Sequence, residues 1–111
     1  MSYKLQPWTS ADATSSIRQM GQSSNLTLSY SIHFKERLSE RDLLLGDVLH
    51  VLKHGFVYDE PKAATQPGLF RYRIETRTPN SGNRNVRLVV IPDPTRCWIK
   101  VVTVMWADEQ A

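Results

Sequence analysis

Within "SIHFKERLSER", residues 31–41, His33, Arg37 and Arg41 recur every four residues. An unperturbed imidazole titrates near pH ~6.5 and can serve as base or acid. Guanidinium groups offer fixed, forked donors that match phosphate oxygens. Those are two of the requirements of metal-independent RNA cleavage, which needs a base for the 2′-hydroxyl, cations for the charged transition state and an acid for the departing oxygen. A second stretch, "LFRYRIETR" at 69–77, adds Arg73 and Tyr72 to the catalytic candidates, with Glu75 as a reserve proton carrier. Arg71 and Arg77, with Arg87 and Lys100 on the strands that follow, could continue a phosphate track.

The same residues have plainer uses. A histidine at a helix start beside Phe34 can be a hydrogen-bonded structural residue. Arg37 and Arg41 can pair with Glu36, Glu40 or Glu75, and alternating Arg71, Arg73, Glu75 and Arg77 can be a solvated strand face. His50 and His54 have the i, i+4 spacing of a metal pair but no evident third ligand, so neither a metal nor a cofactor is expected. Trp98 and Trp106 could stack on bases but read better as core or interface aromatics, and Cys97 reads as a packing residue.

The chain that must position these groups has 111 residues, a net charge of +3, 41% hydrophobic residues and one cysteine. That length suits one domain with one core. No apolar run approaches the ~18 to 20 residues of a membrane span, and a lone cysteine rules out an internal disulfide framework. A reducing cytoplasm is the expected location, and no membrane partner is expected. The positive excess permits an anionic partner and becomes informative only if it gathers on one face.

Residues 1–24 read as a polar arm in which Thr9 or Ser10 could cap a short helix carrying Ala13, Ile17 and Met20. The domain proper is expected over 25–108. "LTLSY" is a short strand or an extended lead-in, and Ser31 is placed to cap a helix on which Phe34 and Leu38 face the core. His33, Arg37 and Arg41 then border that core. A second helix, about 43–54, puts Leu44, Leu45, Val48, Leu49, Val51 and Leu52 on one arc and Asp47, His50, Lys53 and His54 on the other. Ser39 or Asp42 could cap it, and Gly55 ends it as a C-cap glycine would.

Beyond Gly55 the period becomes alternating. On 69–77, Phe70, Tyr72 and Ile74 point one way and Arg71, Arg73, Glu75 and Arg77 the other. "VRLVVI" and "CWIKVVTVMW" complete a meander, and the last strand, apolar on both faces, reads as central. The expected fold is α+β, with N-terminal helices on one face of a curved antiparallel sheet of three to four strands.

From His33 to Trp106 the chain resembles the bacterial family known as domain of unknown function 4258. The resemblance rests on "SIHFKERLSER", on "DVLHVLKHG" as a helix ending in glycine, on the basic-aromatic strand "FRYRIE" and on the threonine-containing "VVTVMW". It implies a fold similar to the RelE/ParE toxin superfamily, whose members form the toxic halves of bacterial toxin–antitoxin pairs. Some members of that group cleave mRNA, and others inhibit DNA gyrase. The expectation is therefore a toxin acting as a metal-independent endoribonuclease or an RNA-binding inhibitor of translation, partnered by a protein antitoxin and by RNA or the ribosome. The alternative is a non-catalytic module that binds a protein such as gyrase or serves a regulatory contact. Exposed apolar surface could also support a homodimer.

Overall fold

A computed structural model describes residues 3–109. In chain order the elements are α1 (Ser10–Gly21), β1 (Thr27–Tyr30), α2 (Phe34–Glu40), α3 (Leu45–His54), β2 (Phe56–Val57), β3 (Lys62–Ala63), β4 (Phe70–Arg77), β5 (Asn85–Asp93), a 3-10 turn (Pro94–Arg96) and β6 (Trp98–Trp106). The sheet runs β1-β6-β5-β4-β2, with β3 pairing the other half of the β4 edge. The fold is α+β as expected, with two differences in the sheet. Short β2 and β3 enlarge it, and β1 pairs with β6 in parallel, so one margin is not antiparallel. As its two-sided apolar pattern suggested, β6 is interior, between β1 and β5.

One core joins the three helices to one face of the sheet. Tyr72 and Ile74 of β4, Val86, Leu88 and Val90 of β5, and Ile99, Val101 and Val104 of β6 meet Ala13, Ile17 and Met20 of α1, Phe34 of α2, and Val48, Val51 and Leu52 of α3. Strand alternation dictates the consequence: the intervening side chains share the opposite face, against which none of these helices packs. The segment read as a polar arm carries the helix suggested for it, capped by Thr9, whose hydroxyl accepts from the Asp12 amide at 3.1 Å. One side of that helix is core. Ahead of it, Trp8 stacks on Tyr72 with ring centroids 5.4 Å apart.

The helix ends differ from the sequence reading. Ser31 does not cap α2. Its hydroxyl donates to the Val102 carbonyl and its amide to the Val101 carbonyl, tying the start of α2 to β6. Neither Ser39 nor Asp42 caps α3; Asp47 does so from inside the helix, its carboxylate accepting from the Leu44 amide at 2.8 Å. Asp47 is therefore not on a wet face but buried beneath the β4–β5 turn, whereas Leu44 and Leu45 are exposed. At its far end α3 is finished by an arginine from α1: Arg18 donates to the carbonyls of His54 and Gly55 at 2.9 and 2.8 Å. These bonds occupy carbonyls that a helix end leaves without intrahelical partners. No helix among the described residues is long and apolar enough to cross a membrane.

Candidate functional site on the open sheet face

Strand register places the open-face residues in rows. Arg77 lies opposite Asn85; Phe56, Glu75, Arg87 and Met105 form the next row; then Arg73, Val89 and Thr103; then Ile91, Lys100 and Ser29, with Lys62 opposite Arg71. Basic side chains outnumber the acidic ones here, so much of the chain's net +3 is gathered on one face. The segment after β2 rims this face. It encloses a cleft of about 570 Å³ lined by Asp59, Glu60, Lys62, Arg71, Arg73 and Val89. Farther along, Trp98, Lys100 and Ile91 line a smaller hollow of about 290 Å³. The Trp98 ring is fixed there, its Nε1 donating to Ser29 Oγ at 2.9 Å and Arg96 lying 4.6 Å over its face.

The cations on this face are unequal. Arg71 and Arg77 are exposed, and among the described residues Arg73 makes only an exposed ion pair with Asp59 at 3.4 Å. Arg87 is held inward by Glu75, whose side chain is 12% exposed, with Nε and Nη2 at 3.1 and 3.0 Å from the same carboxylate oxygen, Oε1. Glu75 was the least prominent of the sequence candidates. The signal that could have raised it is its place at the centre of the alternating basic strand, flanked by Arg73 and Arg77 on the same face.

The structure does not assemble the catalytic set read from the sequence. Tyr72 and Arg73 are consecutive on a strand and so point to opposite faces. Tyr72 is 1% exposed; its hydroxyl donates to Gln6 Oε1 and accepts from the Trp8 amide, both at 3.0 Å. Burial raises its pKa above the ordinary tyrosine value, with the Trp8 amide working in the other direction. His33 is the residue just before α2; its side chain is 69% exposed and lies 3.8 Å from Glu36. Because α2 packs beside β6 and β5 separates β6 from β4, Arg73 lies about 10 Å across the sheet from β6 at ~4.8 Å per strand, on the face α2 does not touch. His33 and Arg73 are thus separate features.

Arg37 is exposed on α2, whereas Arg41 is committed to a clasp. Arg41 donates to both oxygens of Glu109, at 2.8 and 2.6 Å, and Glu109 also accepts from the Trp106 amide. The hydrogen bond from Arg41, helped by the Trp106 amide and by the nearby charges of Arg41 and Arg37, holds the Glu109 carboxyl at about 2 against the opposing effect of burial. Its ordinary value is 4.5, so the clasp contributes stability that is fully present above that pH and is lost as pH falls through about 2. Melting temperatures measured from neutral to acid pH should fall more steeply below pH ~4.5 in the wild type than in Glu109→Gln, which lacks the titrating group. Parallel curves would show that the clasp contributes nothing to acid stability.

Among the described residues there is no group of three or more His, Cys, Asp or Glu side chains able to hold a metal ion. The rings of His50 and His54 are neighbours, 4.6 Å apart. In comparisons with known proteins, residues 30–106 match the model of a family described as Domain of unknown function (DUF4258). No curated protein and no solved structure matches the chain. The matched residues include α2, α3 and the open face; they leave out Trp8, which covers Tyr72, and Glu109, which holds Arg41.

Proposed function

Since the chain belongs to the DUF4258 family over residues 30–106, a family whose description carries no activity, its function must be argued from the site, and we propose a toxin-like domain of a bacterial toxin–antitoxin pair that acts on RNA in the cytoplasm. The toxin half of this reading rests on the resemblance to the RelE/ParE superfamily drawn from the sequence. The RNA half rests on one observation: exposed Arg71, Arg73 and Arg77 line one face of β4 with apolar Val89, Ile91 and Met105 and the Trp98 ring beside them. Spaced cations interleaved with apolar and aromatic surface suit a single strand, whose phosphates need charge and whose bases need a platform. A protein antitoxin would neutralise the domain by covering that face.

The test is binding of a labelled single-stranded RNA across a range of salt concentrations. Each phosphate contact on a single strand contributes about −0.7 to the slope of log affinity against log salt, so the triple variant Arg71→Ala, Arg73→Ala, Arg77→Ala should reduce the slope by about 2. Affinity at low salt should fall at least about tenfold. His33→Ala, on the other side of the molecule's architecture, should bind as the wild type does. Equal binding by the triple variant would sink the open-face reading.

A second reading, a non-catalytic protein-binding module, is favoured by the exposed apolar side chains Ile32, Leu44, Leu45 and Tyr58. Induced expression separates the two. Growth arrest with a block in translation supports the RNA reading, and DNA damage with translation intact supports a gyrase-type target.

A further inference from the structure

We propose that Glu75 is the proton acceptor of an RNA-cleaving site on the open face, with Arg87 as its positioning residue and Arg73 and Arg77 as phosphate ligands. This rests on the RNA reading above and names the chemistry of that same face. The argument starts from how the carboxylate is held. Arg87 donates from Nε to Oε1 at 3.1 Å and its Nη2 lies 3.0 Å from the same oxygen, and among the described residues no hydrogen bond reaches Oε2. A purely structural Arg–carboxylate pair gains most from the two-pronged arrangement in which each oxygen takes one N–H. Here one oxygen is anchored and the other is free to receive a proton.

The surroundings supply what the reaction needs next. Arg73 and Arg77 are two residues to either side of Glu75 on the same strand face, about 7 Å away along the strand. That distance is close to the spacing of successive phosphates in a nucleic-acid strand. A strand laid along β4 would put a phosphate on one arginine and the preceding ribose over Glu75. Phe56 on β2, whose ring carries the Arg18 guanidinium at 4.4 Å, and Met105 on β6, opposite Arg87, are the two ends of the Glu75–Arg87 row.

In the reaction Glu75 Oε2 takes the proton from a ribose 2′-hydroxyl. The 2′-oxygen attacks the adjacent phosphorus, a P–O2′ bond forms, and the P–O5′ bond breaks. The proton removed from O2′ ends on the departing O5′, carried back by Glu75 or by water. The products are a 2′,3′-cyclic phosphate and a 5′-hydroxyl, so no metal, oxidant or added co-reactant enters the balance. A positioned general base contributes roughly 10²- to 10⁴-fold.

The experiment follows a single-stranded RNA oligonucleotide, and its counterpart with a 2′-deoxyribose at the cleaved nucleotide, with the full chain and with Glu75→Gln. The expected result is wild-type cleavage leaving cyclic phosphate ends, binding without cleavage of the 2′-deoxy oligonucleotide, and at least about 100-fold slower cleavage by Glu75→Gln at unchanged affinity for that uncleavable strand. Wild-type binding with RNA left intact overturns the catalytic role while leaving the RNA-binding reading in place. Undiminished cleavage by Glu75→Gln, or products ending in 3′-hydroxyl and 5′-phosphate, also overturns it. Loss of both binding and melting temperature in Glu75→Gln would make Glu75 only a brace for Arg87. Absence of RNA binding by the wild type removes the open-face reading and this role together.

Discussion

Replacing Gly55 by alanine should lower stability by about 3 kcal/mol, at the upper end of what an added methyl costs in a packed site. For a chain of 111 residues that corresponds to a melting temperature roughly 13 °C lower. The reason is room. Gly55 has φ −76° and ψ 174°, extended backbone open to any residue, so it does not use the left-handed freedom that usually places glycine after a helix. A Cβ at this position would lie 2.5 Å from the Val51 carbonyl oxygen and 2.7 Å from Ile74 Cγ1. The first neighbour is α3 backbone and the second is a fully buried β4 side chain, so neither yields cheaply. Gly68 provides the contrast. It has φ +84° and no atom within 4 Å of an added Cβ, so alanine there should cost only about 1 kcal/mol of backbone strain. Thermal melts of both variants check the difference, and a Gly55→Ala protein as stable as the wild type would show that α3 and β4 are not in rigid contact.

Asp47→Ala should cost a similar amount, about 3 kcal/mol, because it removes a helix cap and leaves the buried Thr78 hydroxyl and two partly buried donors without their acceptor. One carboxylate oxygen accepts from Thr78 Oγ1 at 2.6 Å; the other accepts from the Leu44 amide at 2.8 Å and Asn80 Nδ2 at 3.0 Å. A single side chain thus ties the first turn of α3 to the β4–β5 connection. Burial pushes the Asp47 carboxyl up, but those hydrogen bonds, with His50 nearby, more than reverse it and leave it below the ordinary value of 3.8. Its stabilisation is accordingly present at neutral pH and lost only as pH falls below that ordinary value. The measurement is a denaturant unfolding curve for Asp47→Ala and Asp47→Asn. The asparagine, which can still accept from one donor, should recover part of the loss. A midpoint unchanged in both would mean that the turn is held by other contacts.

These two residues show how far local reading reaches. Gly55 was placed correctly at the end of α3 but for a conformational reason, when the cause is crowding by Val51 of α3 and by Ile74 of β4, 19 residues farther along. Asp47 was assigned to a solvated face because helical periodicity cannot know that the turn at 78–81 will fold over it. The capping serine was misassigned for the same kind of reason: the Ser31 hydroxyl donates to a carbonyl of β6, 71 residues away, instead of accepting from an amide of the helix beside it.

The open face was legible in part. Alternation along "FRYRIETR" separated Arg71, Arg73, Glu75 and Arg77 from Phe70, Tyr72 and Ile74, and the structure keeps that division. Grouping His33, Arg37 and Arg41 with Arg73 and Tyr72 was a statement about space, and the fold distributes them among a helix, a clasp, the core and the open face.

Periodicity and turn chemistry act over a few residues, so the sequence by itself determined the α+β class, the order of the main elements, which β4 side chains share a face, and a net positive charge available to an anionic partner. Tertiary structure decided which of those charges remain free. Arg41 is claimed by Glu109 and Arg87 by Glu75, while Arg71 and Arg77 are left exposed. An ion pair depends on the distance between two groups rather than on their spacing along the chain, and that distance exists only once the sheet has paired and the helices have packed against it.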